Sequence, residues 1–142
     1  MQHTTLIDIL NANRGVERAI HYLEGEHEEH IISYGQLFDR ALGILGHLQS
    51  AGAKAGDKMI IFLNGNQSFI EGFWGALAGG IVPVPLAVGI SDEHRQKLLR
   101  IARRLDDPFL YTDRKTLERI GSFAPTVGAQ DVFKRLERRA IL

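Results

Sequence analysis

Apolar positions along this chain follow two different periods, and the changes from one to the other outline its elements. Leu6 to Asn11 reads as a short helix. ERAIHYLEGEHEEHIIS then reads as two strands joined at Glu24-Gly25-Glu26, a turn whose glycine can take positive φ. Leu37, Ala41, Ile44 and Leu48 next recur at helical spacing, with Phe38, Leu42 and Leu45 beside them. Ser33 and Gln36 form a capping box ahead of that stripe, and Gly52 supplies a stop behind it.

From Gly56-Asp57 onward, strand and helix alternate. Met59 to Leu63 is a short apolar run suited to a strand covered on both sides. SFIEGFWGALAGG follows as a helix, IVPVP as a strand, Asp92 to Leu105 as a helix, PFLYT as a strand and DRKTLERI as a helix. The expected class is α/β: a helix and hairpin, then βαβαβα units forming part of a parallel sheet. DVFKRLERRAIL reads as a helix running into the first residues of one more strand, so the chain is expected to be an incomplete piece of a larger domain.

Phe69 to Gly89 carries one charge in twenty-one residues. A membrane span needs about 20 apolar residues in one helix, and Pro83 and Pro85 just after Gly79-Gly80 forbid it. The glycines also lack the spacing of a phosphate-cradling loop. Gly72, Gly75 and Gly79 instead lie three and four apart on one helical face. Each costs about 1 kcal/mol of propensity against alanine, so close packing is expected to offset them. Phe73 and Trp74 read as core rather than as lining of an acyl pocket, and Ile81 to Val84 as a buried strand that the prolines keep short or at an edge.

Composition narrows the function. With 142 residues, 44% hydrophobic and 24% charged, one globular domain is expected. Lys and Arg total 17 and so do Asp and Glu, leaving no net field to attract nucleic acid. The absence of cysteine removes thiolate catalysis and thiolate-bound metal. MQHTTLIDILNANRG carries neither a basic leader nor an apolar run of signal-peptide length, and a cytoplasmic location is expected.

Three clusters invite a ligand and have plainer readings. HEEH is not H-E-x-x-H, and on a strand His27 and His30 would face opposite ways, so a solvated hairpin is expected. Arg95, Lys97, Arg100, Arg103 and Arg104 surround an apolar stripe of Leu98, Ile101, Ala102 and Leu105, and read as an outer helical face. Lys134, Arg135, Arg138 and Arg139 complement the dipole at the end of the last helix.

ISYGQLFDRALGILGHLQSAGAKAGDKMIIFLNGNQSFIEGFWGALAGGIVPVPL resembles the N-terminal region of the adenylate-forming superfamily, which includes acyl-coenzyme A synthetases, fatty-acyl-adenylate ligases and peptide-synthetase adenylation domains. That family typically shows TYxEL at a helix start, G(v/l)xxGDrV before a strand, and KAGavyVPL at a helix end. Ser33-Tyr34 with Gln36-Leu37, Gly56-Asp57, and Ala78-Gly79 through Val84-Pro85-Leu86 stand in those places, in order. The likeness runs from about residue 17 to 120. Asn64-Gly65-Asn66 replaces the family's proline-asparagine pair, and AVGISDEH replaces its proline-rich turn. The long polar linker into the Arg95 helix looks more like that of fatty-acyl-adenylate ligases and their polyketide-associated relatives than that of peptide-synthetase adenylation domains.

The resemblance implies a parent enzyme that activates a fatty or related carboxylic acid by attack on the α-phosphate of ATP with release of pyrophosphate. It implies ATP and magnesium for that parent, with an acyl carrier protein or coenzyme A as thiol acceptor. The family's phosphate loop, magnesium-side glutamate, ribose aspartate and mobile lysine all lie further along its chains, and none is matched here. No catalytic, cofactor-binding or metal-binding residue is therefore assigned to residues 1–142, which are expected to be the inactive N-terminal portion of the parent's large N-terminal domain. Its partners would be the remainder of that polypeptide and, through exposed edges, other copies of itself. The alternatives are a short α/β binding or assembly module on the same scaffold, and an unrelated small nucleotide-binding domain.

Overall fold

The structure, a computed structural model, describes residues 4–142. Its helices are α1 (Leu6–Ala12), α2 (Tyr34–Ser50), α3 (Asn66–Ala78), α4 (Asp92–Arg104), α5 (Arg114–Phe123) and α6 (Gln130–Arg138). Its strands are β1 (Ala19–Glu24), β2 (Glu28–Ser33), β3 (Lys58–Ile61), β4 (Val82–Pro85), β5 (Phe109–Tyr111) and β6 (Ala140–Ile141).

Ser33 caps α2 as its spacing from Gln36 predicts. Gln36 N donates to Ser33 Oγ at 3.1 Å, and Ser33 N donates to Gln36 Oε1 at 2.9 Å. At the far end Gly52 takes φ +92°, and Ala53 N donates back to Leu48 O at 2.9 Å, closing the helix. The hairpin forms with Ala19 opposite Ser33 and Glu24 opposite Glu28, and Gly25 turns it at φ +77°.

The remaining strands make one parallel sheet in the order β4-β3-β5-β6. The strand expected in the final residues is therefore real, with Leu110 opposite Ala140. Alternation along β3 divides the core. Met59 and Ile61 pack with Phe109 against α2 and α3. Ile60 and Phe62 pack with Leu110 against α4, α5 and α6. A third cluster, built on Leu10, Tyr22, Ile32 and Leu37, seats the hairpin and α1 against α2 and α3.

Three expectations need correction. The fourth strand is short and at the sheet edge, as its prolines imply, but it is not buried: Val82 is 47% exposed, although Ile81 just before it is buried. Val82 N donates to Asp57 O and Leu86 N to Ile61 O, so the residues alternating with them, Pro83 and Pro85, fall on the outer side where no donor is needed. On α4 the buried positions are Leu98, Leu99 and Ala102; Leu99 replaces Ile101 and Leu105, which are only half-buried. The α3 glycines do not share one neighbour. A Cβ on Gly75 would lie 2.9 Å from Ile44 Cγ2 and one on Gly79 would meet Leu45, both on α2, whereas Gly72 abuts Tyr111 on β5.

Candidate functional site

A cleft of about 820 Å³ opens beyond the carboxyl ends of the parallel strands. Phe62 and Asn64 reach it from the end of β3, Val88 to Ile90 from the end of β4, and the first turns of α4 and α5 form its walls. From β3 the chain moves to one side through β4 and then to the other through β5. Such a reversal leaves a crevice at the carboxyl ends where open α/β sheets take ligands.

The floor is held by Thr112, whose Oγ1 donates to Phe62 O at 2.7 Å from a buried position. Asp113 caps α5: Thr116 N donates to it at 2.7 Å and Thr116 Oγ1 at 2.9 Å. That carboxylate already serves the helix start, so charge in the cleft comes from side chains. Three cations, Arg95, Lys115 and Arg119, stand with two carboxylates, Asp92 and Glu118. Arg95 donates to Asp92 Oδ1 at 2.9 Å and lies 5.9 Å from the Phe123 ring centroid. It is therefore a wall of the cleft, 20% exposed, and not part of a solvated outer face.

The hydroxyls near this cleft are committed locally. Ser122 Oγ donates to Glu118 O at 3.1 Å and Thr126 Oγ1 to Phe123 O at 2.6 Å. Ser91 Oγ lies 3.1 Å from His94 Nδ1, one α4 turn apart, and among the described residues no acid orients that imidazole. The arrangement suits binding and orientation of a ligand with apolar and anionic parts; it contains no activated nucleophile.

A second polar group ties the hairpin to α2 and α3. His30 Nδ1 donates to Gln67 Oε1 at 2.7 Å, Gln67 Nε2 donates to Glu71 Oε1 at 2.9 Å, and Arg40 Nη1 donates to the same oxygen at 3.2 Å. The Glu71 side chain is only 12% exposed. Burial, and then the charge of Glu71, hold the hydroxyls of Tyr22 and Tyr111 above the usual tyrosine range, while Arg40 partly counters this at Tyr22.

His27 lies in the turn and not on a strand, so the opposite-faces argument does not apply to it. His30 is engaged with Gln67, and His21 pairs with Glu29. Among the described residues no group of three or more His, Asp and Glu side chains is arranged to hold a metal ion. Of the last basic cluster, Arg139 turns inward: its guanidinium lies 3.9 Å from the Phe109 ring centroid and 3.3 Å from Asp107 Oδ2. Trp74 and Phe73 are half-buried, edge to face at 6.3 Å, rather than fully core. Among the described residues the cleft carries neither a glycine-rich phosphate loop nor a group of three or more carboxylates. Among the described residues no helix is long and apolar enough to cross a membrane.

No protein-family model matches the chain. Solved structures do. The adenylation domain of a keto acid-selecting NRPS module bound to keto acyl adenylate is 26% identical, with a TM-score of 0.81 over 98% of this chain and 26% of that one. McyG A-PCP complexed with phenylalanyl-adenylate is 28% identical, with a TM-score of 0.77 over 94% of this chain and 27% of that one. The fatty acid AMP ligase from Legionella pneumophila is 24% identical, with a TM-score of 0.75 over 83% and 21%. The chain thus spans about a quarter of the length of the structures it matches, and its fold is that of part of a larger adenylate-forming domain.

Proposed function

We propose that residues 1–142 are the N-terminal portion of the large N-terminal domain of an ATP-dependent acyl-activating enzyme, one that adenylates a fatty or related carboxylic acid. The observation that carries this reading is an ordered correspondence. Ser33-Tyr34-Gln36-Leu37 opens α2, Gly56-Asp57 turns into β3, and Ala78 to Leu86 ends α3 and forms β4, within a fold that matches adenylate-bound domains along nearly the whole chain.

In the parent, the acid's carboxylate attacks the α-phosphate of ATP, pyrophosphate leaves, and the acyl group passes to a thiol on an acyl carrier protein or coenzyme A. A pentavalent phosphate needs positioned cations and donors. This portion supplies a packed sheet and one wall of a binding region, so alone it is inactive and depends on the rest of its polypeptide. Isolated, it self-associates through the open β6 edge. The parent works in the cytoplasm. A stand-alone α/β binding or assembly module is the alternative, and the proline-closed β4 edge favours it, because one flank of the sheet needs no further strand.

The test is the size of the native product, by immunoblot of source-cell lysate with an antibody against this chain. A band several times larger, with acid-dependent exchange of pyrophosphate into ATP by the full protein, is expected. A band at the size of this chain overturns the reading, as does ATP turnover by residues 1–142 alone.

A further inference from the structure

The balanced charge of the whole chain conceals a division. Residues 1–91 hold 5 Lys and Arg against 9 Asp and Glu, whereas residues 92–142 hold 12 against 8. The two excesses lie on opposite sides of the parallel sheet, since α2 and α3, with the hairpin seated on them, cover one side and α4, α5 and α6 cover the other.

Each excess has a focus. Glutamate fills four of the six positions from Glu24 to Glu29 at the hairpin turn. Glu29 pairs with His21, but Glu24 and Glu26 are exposed and have no ion-pair partner among the described residues. On the far side, Arg103 of α4 meets Asp131 of α6 at 3.5 Å. Arg135 and Arg138 follow Asp131 at helical spacing, and Arg100 stands one turn before Arg103, so an arginine seam runs between the two helices. The carboxylates beside it are spent, Asp131 on Arg103 and Asp107 on Arg139. Arg100, Arg135 and Arg138 have no ion-pair partner among the described residues. Arg100, Arg103 and Val127 line a recess of about 350 Å³ at the seam. Val127 is 41% exposed, and Leu23 beside the hairpin turn is 73% exposed.

We propose that the acidic hairpin turn of one copy of this chain docks on the arginine seam of another. Complementarity on both sides selects a second copy as the occupant. Each surface joins an exposed aliphatic side chain to unneutralised charge of one sign, and with the sheet between them the two cannot meet within one molecule. Guanidinium forks match the carboxylates of the turn. Because two different surfaces are joined, copies add head to tail instead of closing into a symmetric pair. The contact uses no residue of the cleft and no chemical step, and it is distinct from pairing along the β6 edge, which rests on backbone hydrogen bonds.

Salt separates the two modes of association. Light scattering by the 142-residue chain in about 20 mM salt is expected to give a mean mass at least about twice that in about 500 mM, where exposed charges are screened within a few ångströms. Glu24→Lys with Glu26→Lys reverses the turn, and Arg100→Glu with Arg135→Glu reverses the seam. All four positions are exposed, so both variants should keep the circular dichroism melt of the unsubstituted chain. Each variant alone should lose the salt-dependent growth. An equimolar mixture should regain it, because the reversed turn of one then meets the reversed seam of the other. The proposal is overturned by a mass indifferent to salt, by growth that survives in either variant alone, or by a mixture no larger than its components. Capture of soluble polyglutamate by a chain that does not self-associate also overturns it, and assigns the seam to an acidic partner instead.

Discussion

Gly72 on α3 meets the ring of Tyr111 on β5 so closely that a Cβ there would lie 2.6 Å from Tyr111 Cδ1. The glycine is thus required by the sheet, while Gly75 and Gly79 nearby are required by α2. Gly43 and Gly46, also inside a helix, have nothing within 4 Å of an added Cβ. The expected outcomes are opposite in sign. Gly72→Ala should destabilise by about 1–3 kcal/mol, overpacking outweighing the gain in propensity. Gly43→Ala should stabilise by about 0.5–1 kcal/mol. Urea unfolding of the two variants measures both.

The Ser33 cap holds the junction between the hairpin and α2, where one hydroxyl and one carboxamide satisfy two backbone donors. Ser33→Ala is expected to cost about 1 kcal/mol and Ser33→Asp to recover most of it. Thermal melts compare them.

The raised hydroxyls of Tyr22 and Tyr111 set an alkaline limit. Above the ordinary tyrosine value near pH 10, the unfolded chain loses protons that the folded chain keeps. Stability from these groups is therefore intact below about pH 10 and falls as pH rises toward their folded values. Melting temperature measured from pH 8 to 11.5 should decline most steeply above pH 10, and Tyr111→Phe should flatten the decline. Among the described residues Tyr22 Oη is buried with no hydrogen-bond partner, so Tyr22→Phe is expected to be neutral or stabilising by up to about 1 kcal/mol at pH 7. A loss above 1 kcal/mol would mean that the hydroxyl is satisfied in solution.

Pro83 and Pro85 deny the outer side of β4 to another strand. Replacing both by threonine restores two outward donors on a half-exposed edge and should increase association. Light scattering against concentration checks this; an unchanged particle size would mean that the twist of the edge, rather than its prolines, protects it.

Much of the architecture was legible because its signals are local. The box at Ser33 and Gln36, the positive-φ turn at Gly25 and the alternation of β-branched runs with amphipathic stripes each act within a few residues, and each appears where expected. What failed to show depends on order in the sheet. The prolines of IVPVP pointed to an edge, but how far that edge is uncovered depends on β5 returning to the other side of β3, which leaves nothing among the described residues beyond Val82. The cleft was illegible for the same reason: Asn64, Val88, Arg95 and Lys115 come from four separate segments, with no fixed spacing to mark them. Arg95 looked like its solvated neighbours because nothing local announces Phe123 beside it.

The consecutive residues Met59, Ile60, Ile61 and Phe62 are all buried, with alternate side chains committed to opposite helical layers. A substitution there perturbs one layer, whereas losing or gaining a single residue would exchange the two sets wholesale. Met59 and Ile61 would then meet α4 to α6, and Ile60 would meet the glycine-lined approach of α3. The segment can therefore vary in kind more readily than in number, and genetic frame-preserving insertions are best accommodated in the loops on either side of it.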